Sequence, residues 1–140
     1  RHGIDASVRI RAQAMTSDTA LTFAGDAMEL IGSGIARRAA DAVYEASGVD
    51  PLEIPVVELH DCFTANEIIS YEALRLTPDG TSDRFVRDGD NTYGGRVVTN
   101  PSGGLLSKGH PLGATGLAQC AELVWQLRGS ACVVTLYERS

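Results

Sequence analysis

The chain has 140 residues, of which 44% are hydrophobic and 21% are charged, and its formal net charge at pH 7 is −6. This length suits a single domain, and the apolar content is too high for a disordered chain. The negative charge argues against nucleic acid and anionic membrane surfaces as partners. Because no run reaches the about 20 apolar residues of a spanning helix, no membrane insertion is expected.

The cysteines and the termini together favour a cytoplasmic protein. Cys62, Cys120 and Cys132 are odd in number and form no CxxC pair, which is typical of reduced thiols rather than of a disulfide framework. Residues 1–5 contain no apolar signal-peptide segment. Residues 137–140 do not match a Ser-Lys-Leu peroxisomal address. We therefore expect a location in the cytoplasm.

The first third of the chain predicts two strands and one helix. Residues 7–15 alternate apolar and polar side chains, which indicates a strand, and residues 16–34 are expected to be irregular. Apolar residues recur at helical spacing over 35–46, and Gly48 is placed to end that helix. The apolar, β-branched run at 54–59 predicts a buried strand.

A helix, a turn and a surface segment are predicted next. Thr64 and Glu67 have the spacing of a capping box, which predicts a helix that begins there and ends near Leu76. Residues 77–80 have the composition of a turn. Residues 83–93 are polar, and we expect them to form a surface excursion.

The last part of the chain predicts a strand edge, a helix and a closing strand. Residues 95–99 suit the strand edge, and apolar side chains at helical spacing predict a helix over 117–127. Residues 131–137 suit the closing strand. Because strands alternate with helices along the chain, the sequence favours an α/β layer with a mostly parallel sheet.

The most informative stretch is residues 98–116, where His110 lies in a glycine-rich loop immediately before a predicted helix. Its glycines let the backbone approach a ligand closely and adopt positive φ angles. A helix start after such a loop turns free N–H groups and a positive dipole end toward the ligand. A histidine there can handle protons beside a developing negative charge.

A second candidate loop, residues 59–63, follows the predicted buried strand and carries His60 and Cys62. Ligands of open α/β sheets gather at the carboxyl ends of strands. A thiol there can act as an acid or base, because a helix N-terminus or an imidazolium lowers its pKa from about 8.5. If the two loops converge, His60, Cys62 and His110 can move protons and stabilise an oxyanion.

Three motifs carry a family resemblance: His-Asp-Cys-Phe at 60–63, Asn-Pro-Ser-Gly-Gly at 100–104 and Gly-His-Pro-Leu-Gly-Ala-Thr-Gly at 109–116. They resemble the C-terminal half of a thiolase of the sterol-carrier-protein type. Further similarity occurs at residues 71–74, 89–95 and 119–126. The resemblance extends over nearly the whole chain, which is about the last third of a complete thiolase.

The resemblance implies a role for each of the three side chains. Most thiolases have Asn-Glu-Ala-Phe where this chain has residues 60–63, and in the sterol-carrier type the cysteine of this motif is thought to be the acid/base. Cys62 would then move a proton at the substrate's α-carbon. His110 would activate the nucleophilic cysteine and help to hold the thioester oxygen, and His60 would donate to an oxyanion. Five loop residues are expected to bind substrate: Asn100, Gly103, Gly104, Gly109 and Gly113.

The resemblance also implies a fold and a partner. We expect residues 1–140 to form one thiolase-like half, with a mixed, mostly parallel sheet of up to five strands and helices on its faces. The nucleophilic cysteine belongs to an N-terminal half that is not in this sequence. A strand and a glycine-rich segment usual in the family have almost no counterpart at 128–132, so either they are deleted or residues absent from this sequence belong there. We therefore expect an N-terminal thiolase half as partner, and a homodimer beyond it. No cofactor is implied, since coenzyme A is a substrate.

The implied activity is thiolytic cleavage of a branched or sterol-derived 3-ketoacyl-CoA to acetyl- or propionyl-CoA and a shortened acyl-CoA. Two alternatives stay open: a lipid-transfer or acyl-CoA-binding protein without catalysis, and a thiolase-like aldolase subunit. Asn100, Ser102 and the glycine pair that follows could instead only shape their loop. Zinc is not expected, because His60, Cys62 and His110 lack an evident fourth ligand. Cys120 and Cys132 are expected in the core.

Overall fold

Seven helices and two short strands make up the regular structure of the described part of the chain, which in this computed structural model comprises residues 7–25 and 27–132. The helices are α1 (Ala20–Ala24), α2 (Ala27–Leu30), α3 (Ser33–Ser47), α4 (Thr64–Ala73), α5 (Ser82–Arg87), α6 (Gly104–Lys108) and α7 (Thr115–Leu127). The strands are β1 (Val56–Val57) and β2 (Val98–Thr99), and a 3-10 turn spans Pro51–Glu53.

The two strands form a parallel pair, with Val56 opposite Val98 and Val57 opposite Thr99. The pairing continues into the next residue, because the Asn100 amide donates to the Val57 carbonyl at 2.8 Å. Parallel pairing of these two segments is therefore confirmed. Within the described ranges the sheet has two strands, so the larger sheet of up to five strands is not found there.

Residues 7–15 do not form the predicted strand. Alternating side chains favour an extended chain, but a strand also needs a neighbour to bond, and none of the described segments pairs with this one. Residues 8–12 instead line an apolar groove of about 550 Å³, together with side chains of α3 and α7. The predicted closing strand falls outside the described residues except for Ala131 and Cys132, which form a bend.

The two helices predicted from apolar periodicity, α3 and α7, are confirmed. Gly48 ends α3 in the left-handed conformation with φ 67°, and its amide donates to the Tyr44 carbonyl at 2.9 Å. The Tyr44 hydroxyl donates to the Leu74 carbonyl at 2.7 Å, which ties α3 to the end of α4. The turn predicted at 77–80 is also present.

The predicted capping box of α4 is wrong. Phe63 occupies the N-cap position and Thr64 is already helical, so no side chain caps the first turn. Glu67 accepts a hydrogen bond from the Tyr71 hydroxyl instead of reaching back to the helix start. A bond within the helix, to the buried tyrosine one turn further along α4, has replaced the cap that the spacing suggests.

Helix α4 ends at Ala73, before the predicted end at Leu76. Arg75 adopts a left-handed φ of 56°, and the Leu76 amide donates to the Tyr71 carbonyl at 2.8 Å. This is the geometry of a Schellman C-cap, with an arginine where glycine is common. Leu76 therefore lies outside the helix, yet it is buried in the core.

Four short helices were not predicted from the sequence: α1 and α2 in the segment expected to be irregular, α5 in the segment expected at the surface, and α6 within the glycine-rich loop. The surface prediction is wrong for α5, because Phe85 is buried and the centroid of its ring lies 5.1 Å from that of the Tyr71 ring. The Ser82 amide and hydroxyl at the start of α5 both donate to Glu72. Contacts to α4, rather than a local apolar period, hold this helix.

Tyr71 lies at the centre of the buried cluster and is fully inaccessible to solvent. The cluster consists of Leu59, Tyr71, Leu76, Phe85 and Val97. The Tyr71 hydroxyl donates to Glu67 and accepts from the Asn91 side-chain amide at 3.0 Å. Burial, aided by the bond to Glu67, raises the pKa of Tyr71 to about 12.

Among the residues with described coordinates, none of the helices combines the length and the apolar character needed to cross a bilayer.

Tyr71 makes the fold sensitive to alkaline pH. An unfolded tyrosine loses its proton near pH 10, whereas folded Tyr71 keeps it to about pH 12. Its contribution is thus fully present below pH 10 and is lost as the pH rises toward 12, by up to about 1.4 kcal/mol per pH unit. Urea unfolding across this range should show a shallower fall for Tyr71→Phe than for the parent chain. Equal slopes in the two proteins would contradict the assignment.

Candidate active site

The two loops singled out by the sequence meet in the structure. The rings of His60 and His110 lie edge to face, with centroids 4.9 Å apart and an interplanar angle of 83°. Cys62 is two residues beyond His60, so their Cα atoms are within about 7 Å of each other. Its side chain is partly buried and its thiol is free. The fold thus brings the three candidate catalytic residues to one region, beyond the carboxyl end of β1.

Amide side chains from three elements hold the backbone of the loop that carries His60. The Leu59 amide donates to Asn100 Oδ1 at 2.8 Å, and the Leu59 carbonyl accepts from Gln119 Nε2 at 2.9 Å. The His60 carbonyl accepts from Asn66 Nδ2 at 2.7 Å. Sequence reasoning did not single out Asn66 or Gln119, because each acts on a backbone atom of another element and leaves no local pattern.

A buried carboxylate, Glu58, fixes one end of the glycine-rich loop. Its side chain has no exposed surface and accepts from the Ser102 amide at 2.9 Å and the Ser102 hydroxyl at 2.7 Å. Lys108 Nζ lies 3.4 Å from the same carboxylate, and its own side chain is mostly covered. Charge-assisted hydrogen bonds of this kind offset the cost of removing a carboxylate from water.

A second carboxylate, Asp61, fixes the middle of the loop. Asp61 is 4% exposed, and its Oδ1 accepts from the Leu105 amide at 2.7 Å in the first turn of α6. Gly104 has φ +62°, and a Cβ atom there would lie 2.2 Å from Asp61 Oδ2. Glycine is therefore required at 104 both by backbone conformation and by the approach of the carboxylate.

These contacts bear on the five residues expected to bind substrate. Asn100 and Gly104 are engaged in shaping the loop, as described above, and Gly103 packs closely on Ser107. Gly109 and Gly113 have open space where a side chain would stand. Contact of any of the five with substrate stays a prediction.

His110 has one close polar neighbour of its own. Its Nδ1 lies 2.8 Å from Thr115 Oγ1, and that hydroxyl lies 3.1 Å from the Pro111 carbonyl oxygen. Thr115 is 4% exposed and is the first residue of α7. Nδ1 of the ring thus contacts a buried hydroxyl, and the ring also packs at nearly a right angle to that of His60.

The other two cysteines are not core residues, which corrects the expectation from sequence. Cys120 and Cys132 are both exposed with free thiols, and Cys120 borders the apolar groove. Position 120 falls on an apolar stripe of α7 that lines the groove and that the described residues do not cover. Within residues 7–25 and 27–132, no group of three or more His, Cys, Asp or Glu side chains is arranged to hold a metal ion.

Three glycine substitutions separate the two constraints at Gly104. At Gly113 the φ angle is not positive and no atom lies within 4 Å of an added Cβ. Gly113→Ala should therefore leave the free energy of unfolding near that of the parent. Gly109→Ala meets only the backbone conformation, φ 99° and ψ 164°, which glycine alone adopts readily, and should cost about 1–3 kcal/mol. Gly104→Ala also displaces Asp61 from the Leu105 amide, which adds about 1–3 kcal/mol. Urea unfolding of the three variants measures the series, and equal losses for Gly104→Ala and Gly109→Ala would show that Asp61 moves without cost.

Comparison with known proteins gives the family context. The family model described as thiolase C-terminal domain-like matches residues 16–137. "Sterol carrier protein 2" of Bos taurus is 56% identical over 126 residues, which are 89% of this chain and 23% of that protein. "Benzoylsuccinyl-CoA thiolase subunit BbsB" of Thauera aromatica is 47% identical over 100 residues, 71% of this chain and 26% of that protein.

A solved structure is similar as well. The protein named "Ltp2-ChsH2(DUF35) aldolase" aligns with a TM-score of 0.64 and 29% sequence identity, over 69% of this chain and 25% of that one. The chain spans about a quarter of the length of each of these three relatives. Since the family model covers most of the sequence, the chain belongs to the thiolase C-terminal domain-like family.

Proposed function

We propose that this chain is the C-terminal part of a thiolase-type acyltransferase that cleaves 3-ketoacyl-CoA with coenzyme A. The proposed products are acetyl- or propionyl-CoA and a shortened acyl-CoA, from branched or sterol-derived chains. The observation that carries the proposal is the contact between His60 and His110, with Cys62 two residues away. Relatives named as a thiolase subunit and as an acetyl-CoA acetyltransferase support the same chemistry.

In the proposed reaction a thiolate from outside this chain attacks the 3-keto carbon. The bond between C2 and C3 breaks, and its electron pair leaves as the enolate of the smaller thioester. Cys62 gives its proton to the α-carbon of that enolate, and His110 takes the proton of the attacking thiol. His60 donates to the oxygen that carries the negative charge. The thiol of coenzyme A then gives its proton to the Cys62 thiolate and takes the acyl group, and the freed nucleophile recovers its proton from His110.

The nucleophile is the main reason to propose a partner. Cys62 has the acid/base role, Cys120 lies on the exposed side of α7, and Cys132 follows that helix. We propose that an N-terminal thiolase half supplies the attacking cysteine and that the complete unit forms a homodimer. Large apolar side chains beside the histidines support a covering partner: Phe63 is 72% exposed and Leu112 is 83% exposed.

A lipid-transfer role is the second candidate. It is favoured by the similarity to proteins named sterol carrier protein 2 and by the apolar groove of about 550 Å³ between residues 8–12, α3 and α7.

Similarity to a solved structure that is named as an aldolase favours the third candidate, an aldolase subunit. Aldol cleavage needs no acyl-enzyme, so it differs from thiolysis in consuming no coenzyme A.

Turnover after reconstitution tests the thiolase proposal. The chain is combined with an N-terminal thiolase half from the same genome, 3-ketoacyl-CoA and coenzyme A are added, and loss of the magnesium–enolate absorbance is followed. His110→Ala and Cys62→Ala should each lower kcat/KM by at least about 100-fold, the effect of losing one oxyanion or proton-transfer group. Cys120→Ala, at an exposed helical position, is the matched control and should leave the rate unchanged.

The alternative functions predict different results when the same reconstituted protein is measured. Full activity in Cys62→Ala or His110→Ala would overturn the assigned roles. Calorimetric binding of a long-chain acyl-CoA without turnover, even beside the N-terminal half, would favour lipid transfer. Carbon–carbon cleavage without consumption of coenzyme A would favour the aldolase.

The covering partner is tested at the exposed apolar side chains. Leu117 is 75% exposed in the first turns of α7, close in sequence to the His110 loop. Leu117→Glu should weaken binding of the N-terminal half at least about tenfold in Kd, a loss of about 1.4 kcal/mol. Leu52→Glu is the control, since Leu52 is 61% exposed but precedes the amino end of β1. Sedimentation of the mixed halves measures both, and equal weakening would place the partner elsewhere.

A further inference from the structure

We propose that Thr115 fixes the tautomer of His110, with the proton of the neutral ring on Nδ1 and the lone pair on Nε2. The inference starts from two distances at one buried hydroxyl. Thr115 Oγ1 lies 2.8 Å from His110 Nδ1 and 3.1 Å from the Pro111 carbonyl oxygen. Because Thr115 is 4% exposed, bulk water does not compete for these contacts.

Proton count then decides the direction of both hydrogen bonds. A carbonyl oxygen only accepts, and a hydroxyl has one proton and two lone pairs. If that proton points to the Pro111 carbonyl, Oγ1 can accept from Nδ1–H and both contacts are attractive. If it points to Nδ1 instead, Oγ1 and the Pro111 oxygen lie 3.1 Å apart with no proton between them, and that oxygen keeps only its bonds from the amides of Ala114 and Thr115. The first arrangement is the favourable one.

The consequence concerns the chemistry of His110 and rests on the proposed function. With the proton on Nδ1, the lone pair on Nε2 is free to take the proton of the attacking thiol. Thr115 touches neither substrate nor thiol in this scheme, so it is a positioning residue for His110. Because Thr115 is the first residue of α7, the helix that follows the glycine-rich loop positions the hydroxyl that sets the tautomer.

Nitrogen NMR of the full chain tests the inference without any partner or substrate. With 15N-labelled histidine, ring nitrogen shifts and their couplings to ring protons show which nitrogen carries the proton, and His110→Asn identifies the signals. The chain and Thr115→Ser, which keeps the hydroxyl, should show Nδ1–H. Thr115→Val keeps the size and removes the hydroxyl, and it should shift the ring toward the Nε2–H form.

The outcomes are separable from those of the proposed function. An Nε2–H ring in the parent chain, or the same tautomer ratio in the parent and in Thr115→Val, overturns the inference. In the reconstituted enzyme, Thr115→Val should lower kcat at least about tenfold with little change in KM, and Thr115→Ser should restore it. Suppose that the parent ring carries its proton on Nδ1 and that Thr115→Val shifts the proton to Nε2 without changing turnover. The tautomer assignment would then stand, and the role of His110 as a base would be refuted. Should Thr115→Val fail to fold, the tautomer of the parent chain and of Thr115→Ser still decides.

Discussion

The candidate site depends on two carboxylates that follow β1 and hold the loop of residues 100–110. Glu58 and Asp61 accept from the amides of Ser102 and Leu105, respectively. The strands β1 and β2 each span two residues, so their own ladder is too short to position the loops beyond them. Side-chain bonds therefore continue the pairing of the two strands. Hydrogen bonds to charged groups are worth about 1.5–3 kcal/mol each, enough to fix a glycine-rich backbone that has little order of its own.

The same carboxylates explain residues that have no role in the proposed chemistry. A buried, uncompensated charge is strongly destabilising, so Glu58 needs both Ser102 and Lys108. Lys108 is the single lysine of the chain, and it is committed to this ion pair rather than held for an anionic ligand. The approach of Asp61 in turn excludes a side chain at Gly104. Part of the glycine-rich motif is therefore set by packing beneath the loop rather than by a ligand above it.

Sequence alone predicted what depends on local pattern. Helices α3 and α7 follow from apolar periodicity, and the two site loops follow from residue types concentrated between a strand and a helix. It could not predict what depends on a distant partner, such as the strand over 7–15, which lacks a neighbour among the described residues. The burial of Phe85 and the anchoring of the His60 loop likewise depend on contacts across the fold. The failed cap of α4 is a competition between two local contacts, because Glu67 bonds Tyr71 one helical turn away.

The geometry also separates the catalytic proposal from the lipid-transfer one. The side chains lining the apolar groove include none of His60, Cys62 and His110. A carrier could thus use the groove without the paired imidazoles, and an enzyme could use the imidazoles without the groove. An enolate also requires that water be kept away, because proton transfer from solvent would compete with Cys62. With Phe63 and Leu112 largely exposed close in sequence to the histidines, the described part of the chain cannot exclude water from them by itself. The catalytic proposal consequently requires a partner surface over the histidines, and the transfer proposal does not.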